Sequence, residues 1–220
     1  MCGRFANLVT LNEMKELFEI QESIINEYSE SGNIYPSENI AAIVFDNKRK
    51  LVQFKWGFIP SWVKEEKPKG QINARAETVN KKPFFKQSFK KRRTLVVTSG
   101  FYEWKQHGKE KIPVYIKLKS GEPFLLAGIY DFIQTSEGKK IGTCAIITTE
   151  ANDLMKSIHD RMPVIIRKKD MNIWLDCTDD DNEQLLLPFL KSIDSDEIEL
   201  IEGRFEGKEF IPAERDKKIK

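Results

Sequence analysis

Apolar side chains recur at helical spacing in residues 10–20, where Leu11, Met14, Leu17 and Phe18 fall on one face. Thr10, with Glu13 three positions on, predicts a capping box, so the stretch reads as a short amphipathic core helix. Residues 22–37 are polar and end in the restricted dipeptide Tyr35-Pro36, which reads as a surface loop. Apolar runs at 40–45 and 51–59, separated by the polar residues 46–50, predict a β-hairpin. A helix is expected after Pro83, burying Phe84, Phe85 and Phe89. The β-branched run 94–98 predicts a buried strand that delivers Ser99-Gly100-Phe101-Tyr102-Glu103-Trp104. His107-Gly108-Lys109 reads as a hairpin tip. Three more strands follow at 112–118, 124–132 and 141–149, with turns at Ser120-Gly121 and Glu137-Gly138. Residues 151–158, 170–176 and 182–190 look helical, and the mixed tail from Gly203 predicts no element.

Length and composition narrow the picture. A chain of 220 residues, 40% hydrophobic and 32% charged, fits one globular domain, 1–220, with a substantial core. It contains no apolar run of about 18 residues to span a bilayer, and its N-terminus lacks the pattern of a signal peptide. Three cysteines without framework spacing fit a reducing cytoplasm, and two histidines with no CxxC or HxxxH cluster predict no metal. A formal charge of +2 is too small to argue for nucleic acid by itself, but it is unevenly placed. Residues 81–93, KKPFFKQSFKKRR, hold seven basic side chains and no acidic one, leaving one helix face positive enough for a phosphate backbone.

Candidate chemistry begins at the N-terminus. Trimming of Met1 exposes a 1,2-aminothiol on Cys2, with amine and thiol pKa values of about 8 and about 8.5 in unperturbed form. Such a pair condenses with an aldehyde to an imine and then closes a five-membered thiazolidine. Gly3 removes bulk beside it and Arg4 adds a permanent charge; taken alone, the dipeptide also reads as an accident of translation. Asn73-Ala74-Arg75-Ala76-Glu77-Thr78 alternates small residues with an amide, a guanidinium and a carboxylate, a pattern suited to presenting polar groups. Glu103, flanked by aromatic residues, is either a desolvated carboxyl with a raised pKa or an outward strand residue. His159, before Asp160-Arg161-Met162-Pro163, is a site-loop candidate or a satisfied structural histidine. Trp56 and Trp62 read first as core.

Together MCGRFA, WGFIPSW, NARAET, SGFYEW and HDRMPV, in that order within residues 1–166, resemble the SOS response-associated peptidase (SRAP) family. The chain departs slightly from the family pattern where Thr98-Ser99 stands in place of a Pro-Ala or similar pair before GFYEW. The resemblance implies an α+β fold, a single compact domain with a β-barrel-like antiparallel core and peripheral helices. It implies a monomer without cofactor or metal that crosslinks through Cys2 to abasic sites in single-stranded DNA, in the cytoplasm and on the nucleoid when bound. Carried over by position, Cys2 is the nucleophile, Asn73 its orienting partner, Glu103 the acid/base and His159 the second catalytic group. Arg4, Arg75 and Arg161 bind phosphates, while Trp56, Pro36 and Trp104 stack on or wedge beside flanking bases, with core packing as the default for Trp104. Three rival readings stay open: an amidohydrolase akin to class II glutamine amidotransferases, a peptidase acting on its own Met1, and a noncatalytic single-strand binder.

Overall fold

The apolar runs become strands buried on both faces. The computed structural model describes residues 2–63, 69–135, 137–176 and 183–213. In chain order it has β1 (Phe5–Asn7), α1 (Leu11–Leu17), β2 (Glu22–Ser23), β3 (Ser31–Ile34), β4 (Asn39–Asp46), β5 (Lys48–Trp56) and β6 (Asn73–Arg75). Then come α2 (Pro83–Lys91), β7 (Arg93–Thr98), β8 (Gly100–His107), β9 (Glu110–Leu118), β10 (Phe124–Gln134) and β11 (Lys140–Glu150). The chain closes with β12 (Arg161–Pro163), β13 (Ile165–Ile166), α3 (Met171–Leu175), α4 (Glu183–Leu186), β14 (Ile198–Glu206) and β15 (Glu209–Pro212).

Strands β5, β4, β7, β10 and β11 pair in that order, and a parallel pairing of β11 with β5 at Cys144↔Trp56 closes them into a five-stranded barrel. Alternate residues of each strand enter different cores, because successive side chains point to opposite faces. Ile43, Leu95, Val97 and Ile147 join Met14, Phe85, Phe89 and Trp174 under the helices. Ile40, Val96, Leu126 and Ile146 join Phe5, Phe101, Val114 and Ile116 of a second sheet, ordered β15-β14-β9-β8-β1-β3. Burial on both sides explains why the sequence shows continuous apolar runs here and little alternation. Cys2, Phe5 and Phe101 thereby sit at the seam between barrel and sheet.

The capping box forms: the Glu13 N–H donates to Thr10 Oγ1 at 3.2 Å, and the Thr10 N–H donates to the Glu13 carboxylate at 2.8 Å. The hairpin forms with its strands at Asn39–Asp46 and Lys48–Trp56 and a tighter turn at Asn47, whose φ is +57°. The basic run does not remain wholly on the surface. Arg93 is buried and donates to the carbonyls of Trp174 (2.6 Å), Phe89 (2.9 Å), Lys90 (2.8 Å) and Asp176, closing the ends of α2 and α3. Arg92 pairs with Asp131 at 3.2 Å. Lys81, Lys82, Lys86 and Lys91 keep an exposed positive face.

Three expectations change. Residues 22–37 are not a plain loop, since β2 and β3 add edge strands to the two sheets. Residues 151–158 form only a 3₁₀ turn at Met155–Ser157: the Asn152 side chain accepts from the Met155 N–H and donates to the Ile193 carbonyl, tying the segment down before a helix can extend. The tail is a hairpin, β14–β15, turning at Gly207 with φ +62°. Cys177 and Asn182 lie outside the described residues.

Candidate active site

The seam assembles four polar side chains from separate parts of the chain. Cys2 precedes β1, which pairs with β8 at Phe5↔Phe101, bringing the N-terminus alongside the strand that carries Glu103. Asn73 opens β6, which runs parallel to β11 with Asn73↔Ile146 in register. His159 sits in the turn between the Met155–Ser157 3₁₀ helix and β12. The Asn73 amide donates Nδ2–H to the Cys2 carbonyl at 2.9 Å, and its Oδ1 is buried without a partner among the described residues. Sγ of the fully buried Cys2 lies 3.9 Å from the Arg4 carbonyl, to which its S–H donates.

Electrostatics link the cluster. Burial pushes the Cys2 thiol well above its ordinary range and the Glu103 charge pushes it further, so the sulfur is held as S–H. Glu103 is raised as well, chiefly by desolvation, with the His159 charge acting in the opposite direction. Its burial does not come from Tyr102 and Trp104, as the flanking sequence implied. Those neighbours point to the other face of β8, where Tyr102 meets Phe205 and Phe210 and Trp104 stacks on Phe205. Glu103 instead shares its face with Phe101, in the core that holds Cys2. The outward reading of Glu103 is thus overturned, because the carboxyl is buried.

His159 Nδ1 lies 2.9 Å from the Arg161 backbone nitrogen and 2.8 Å from Asp160 Oδ1. A backbone N–H only donates, so the Arg161 contact uses the Nδ1 lone pair, whereas the Asp160 contact needs a proton on Nδ1; the two compete for that nitrogen. Arg161 itself reaches Glu77 through a bidentate pair, Nη1 to Oε1 at 2.6 Å and Nη2 to Oε2 at 3.0 Å, and Nη2 also meets the Thr148 carbonyl at 2.6 Å. The hydrogen bond from Arg161 holds Glu77 below the usual carboxylate range. Arg75 is exposed on the strand beside Thr148. Arg4 lies among three rings, its Cζ 4.1 Å from the Tyr35 centroid, 5.0 Å from Trp104 and 5.1 Å from Phe205. Pro36 is exposed at the turn after β3 and Trp104 is half-buried.

Trp56 does not belong with these contacts. It is 0% exposed, donates Nε1–H to the Ile72 carbonyl at 2.9 Å and packs edge-on against Phe5, so neither ring face is open to a base. The stacking expectation for Trp56 is corrected on that ground; Trp62, 59% exposed, is the tryptophan of this motif that meets solvent. Removing a buried ring and its hydrogen bond costs about 3–5 kcal/mol. Trp56→Ala should therefore lower the urea midpoint steeply, and Trp104→Ala should lower it far less.

Sequence reasoning passed over Tyr35, Glu77, Thr148 and Phe205. Tyr35 lies under Arg4, Glu77 clamps Arg161, and the buried Thr148 hydroxyl has no partner among the described residues. The carboxylate of NARAET was a visible signal for Glu77, and Tyr35-Pro36 for the turn; nothing local distinguishes Thr148. Among the described residues no helix is long and apolar enough to cross a membrane.

Barrel, second sheet and seam define an α+β protein whose polar cluster is built around the second residue of the chain. The chain belongs to the SOS response associated peptidase (SRAP) family, whose model matches residues 1–202. It is 41% identical over 203 residues to the abasic site processing protein YoqW of Bacillus subtilis (strain 168), covering 90% of each chain. It is 42% identical over 206 residues to YoaM, an abasic site processing protein of the same organism, covering 90% of this chain and 89% of that one. A solved structure of a protein from Bacteroides thetaiotaomicron superposes with a TM-score of 0.84 at 26% identity, covering 92% of both chains.

Proposed function

We propose that this protein captures abasic sites in single-stranded DNA by closing a thiazolidine on Cys2 once Met1 has been removed. The observation that carries the reading is the cluster at residue 2: a buried thiol, a carbonyl held by Asn73, and a buried carboxyl close enough for its charge to act on the sulfur. The abasic site processing relatives support the same substrate.

The chemistry follows from the protonation states. An abasic deoxyribose is mostly a closed hemiacetal, and Glu103, pushed toward the acid by burial, donates a proton to the ring oxygen while the C1′ hydroxyl releases its own proton to water and the aldehyde forms. The Cys2 amine adds to C1′, and the carbinolamine loses water to give an imine. The thiol adds across the C=N bond, its sulfur bonding to C1′ and its proton ending on nitrogen. Thiol and amine are thus both consumed, and no oxidant or cofactor enters. Asn73 Oδ1, buried and without a partner among the described residues, is available to accept from the amine and fix its lone pair. His159 relays protons or steadies the ring oxygen. A missing base lowers the cost of unstacking the sugar, so selectivity needs no base readout.

Arg4, Arg75 and Arg161 supply phosphate contacts, with Pro36 and Trp104 beside the flanking bases. Arg161 has both Nη groups engaged by Glu77 and the Thr148 carbonyl, so a phosphate must share or displace those contacts, whereas Arg75 is exposed. Arg75→Ala should weaken binding to every single strand by a similar factor and flatten the salt dependence of log K by about one phosphate equivalent. Fluorescence anisotropy over a salt series checks this; strong dependence on flanking bases that salt leaves untouched would assign recognition to base edges.

Intact-mass analysis tests the reading as a whole. The purified protein should lack Met1, and incubation with an abasic single strand should give the sum of both masses less one water. Retention of Met1, or absence of that adduct, overturns it.

A further inference from the structure

Arg4 sits two residues from Cys2, and its backbone is fixed twice: its carbonyl accepts from the Cys2 thiol and from the Tyr102 N–H at 2.9 Å. Its side chain lies on the outer face of the second sheet, within cation–π distance of three rings. Two of them, Tyr35 and Trp104, lie within the family-matched residues, while Phe205 lies beyond residue 202. Among the described residues no hydrogen bond or ion pair engages the guanidinium. A guanidinium approached by aromatic rings and free of carboxylates keeps its in-plane N–H donors for an anion.

Phe205 is itself held firmly. Along β14 the alternation places Ile201, Gly203 and Phe205 on one face, and Ile201 is in register with Tyr115, which is in register with Tyr102. Phe205 contacts Tyr102 at 5.0 Å, Trp104 at 6.4 Å and Phe210, its partner across the β14–β15 hairpin, at 5.5 Å between centroids. Two glycines make room for this cluster. A Cβ at Gly203 would lie 2.5 Å from the Phe210 ring and 2.4 Å from the Ile211 carbonyl, and one at Gly100 would lie 2.4 Å from the Tyr115 ring.

We propose that Phe205, carried by the C-terminal hairpin, is a positioning residue that holds the Arg4 guanidinium beside the reactive N-terminus with its donor edge open to a strand phosphate. The inference rests on the proposed reading of Arg4 as a phosphate contact. The hairpin is then part of the DNA-binding apparatus, acting through Arg4 rather than by touching the strand. Losing one ring from such a box weakens the contact it orders by about three- to tenfold.

The test measures single-strand affinity by anisotropy at several salt concentrations, and crosslinking rate on an abasic strand, for Phe205→Ala, Phe205→Leu, Phe205→Tyr, Arg4→Ala and the double variant Phe205→Ala/Arg4→Ala. Phe205→Ala and Phe205→Leu should each weaken binding about three- to tenfold and flatten the salt dependence, and Phe205→Tyr should stay within about twofold of the parent. The double variant should bind no worse than Arg4→Ala alone, because the ring acts only through that guanidinium. If Phe205→Ala unfolds, the Leu and Tyr variants decide, since both keep apolar bulk and only one keeps a π face. Parent-like binding by Phe205→Leu, losses that multiply in the double variant, or an Arg4→Ala protein that binds as the parent does would each overturn the inference. A parent protein that binds plain strands but never crosslinks an abasic one refutes the capture reading alone, and the Arg4–Phe205 coupling is still read from affinity.

Discussion

Glu103→Gln should slow reaction with a natural abasic site by about 10²- to 10⁴-fold, the usual contribution of a general acid, while slowing reaction with a small open aldehyde far less. The amide cannot donate the proton that opens the sugar ring, but it keeps the size and polarity of the buried carboxyl. Single-turnover rates on the two aldehydes at fixed pH separate the cases. Equal losses would assign Glu103 to the amine or to dehydration of the carbinolamine, and no loss on either would remove it from the chemistry. The parent rate should follow a bell in pH: it falls as pH rises through the raised Glu103 value, while the neutral fraction of the amine rises toward about pH 8. Stability carries the matching sign. A carboxyl whose folded pKa exceeds its unfolded value loses stability as pH rises through the folded value, so the Gln variant should gain in urea midpoint relative to the parent at about pH 8 and show little gain near pH 4. A gain of that sign would exclude misfolding as the source of the slower rate on abasic DNA.

Much of the barrel was legible because its strands are local signals. The runs that became β4, β5, β7, β10 and β11 are apolar and β-branched, with turns punctuated by Asn47 and Gly138. The capping box at Thr10 needed only four residues to specify it. The parallel closure of β11 on β5 was not readable, since it joins Trp56 to Cys144, residues far apart in the chain. The short edge strands β2, β3 and β6 escaped for a related reason: two to four residues cannot display a period, and they are strands only because a neighbour pairs with them.

The site divides in the same way. Cys2, Asn73, Glu103 and His159 were visible as reactive side chains in unusual settings, and the structure gathers Cys2, Asn73 and Glu103 at one seam with the His159 charge acting on it. The reason given for Glu103 was wrong in detail. Adjacent aromatic residues suggested desolvation, but a strand sends neighbours to the opposite face, and burial comes from the barrel instead. Trp56 shows the converse error, where a resemblance outweighed the simpler expectation that a tryptophan in an apolar run is core. The Arg161–Glu77 pair spans 84 positions, so no window of sequence could have joined them. The hairpin that brings Phe205 to Arg4 was hidden because its aromatic residues alternate with charges, which reads as tail composition until the partner strands are known.

Cys2→Ser should remove the heat-stable adduct altogether while leaving single-strand affinity close to the parent's. The substitution keeps the α-amine, so an imine still forms at C1′, but the hydroxyl is a far weaker nucleophile than the thiol toward the C=N carbon. Without ring closure by sulfur the imine hydrolyses when heated, and borohydride added during incubation should trap it as a stable secondary amine. The parent should need no reductant. Burial disfavours the parent thiolate, so the S–H must pass its proton to the imine nitrogen as the C–S bond forms. Cys144 provides an internal control, being equally buried and reduced but part of the barrel wall. Cys144→Ala should leave adduct stability unchanged. A Cys2→Ser adduct as resistant to heat as the parent's, without reductant, would show that the thiol does not close the ring and would leave the amine as the sole reacting group.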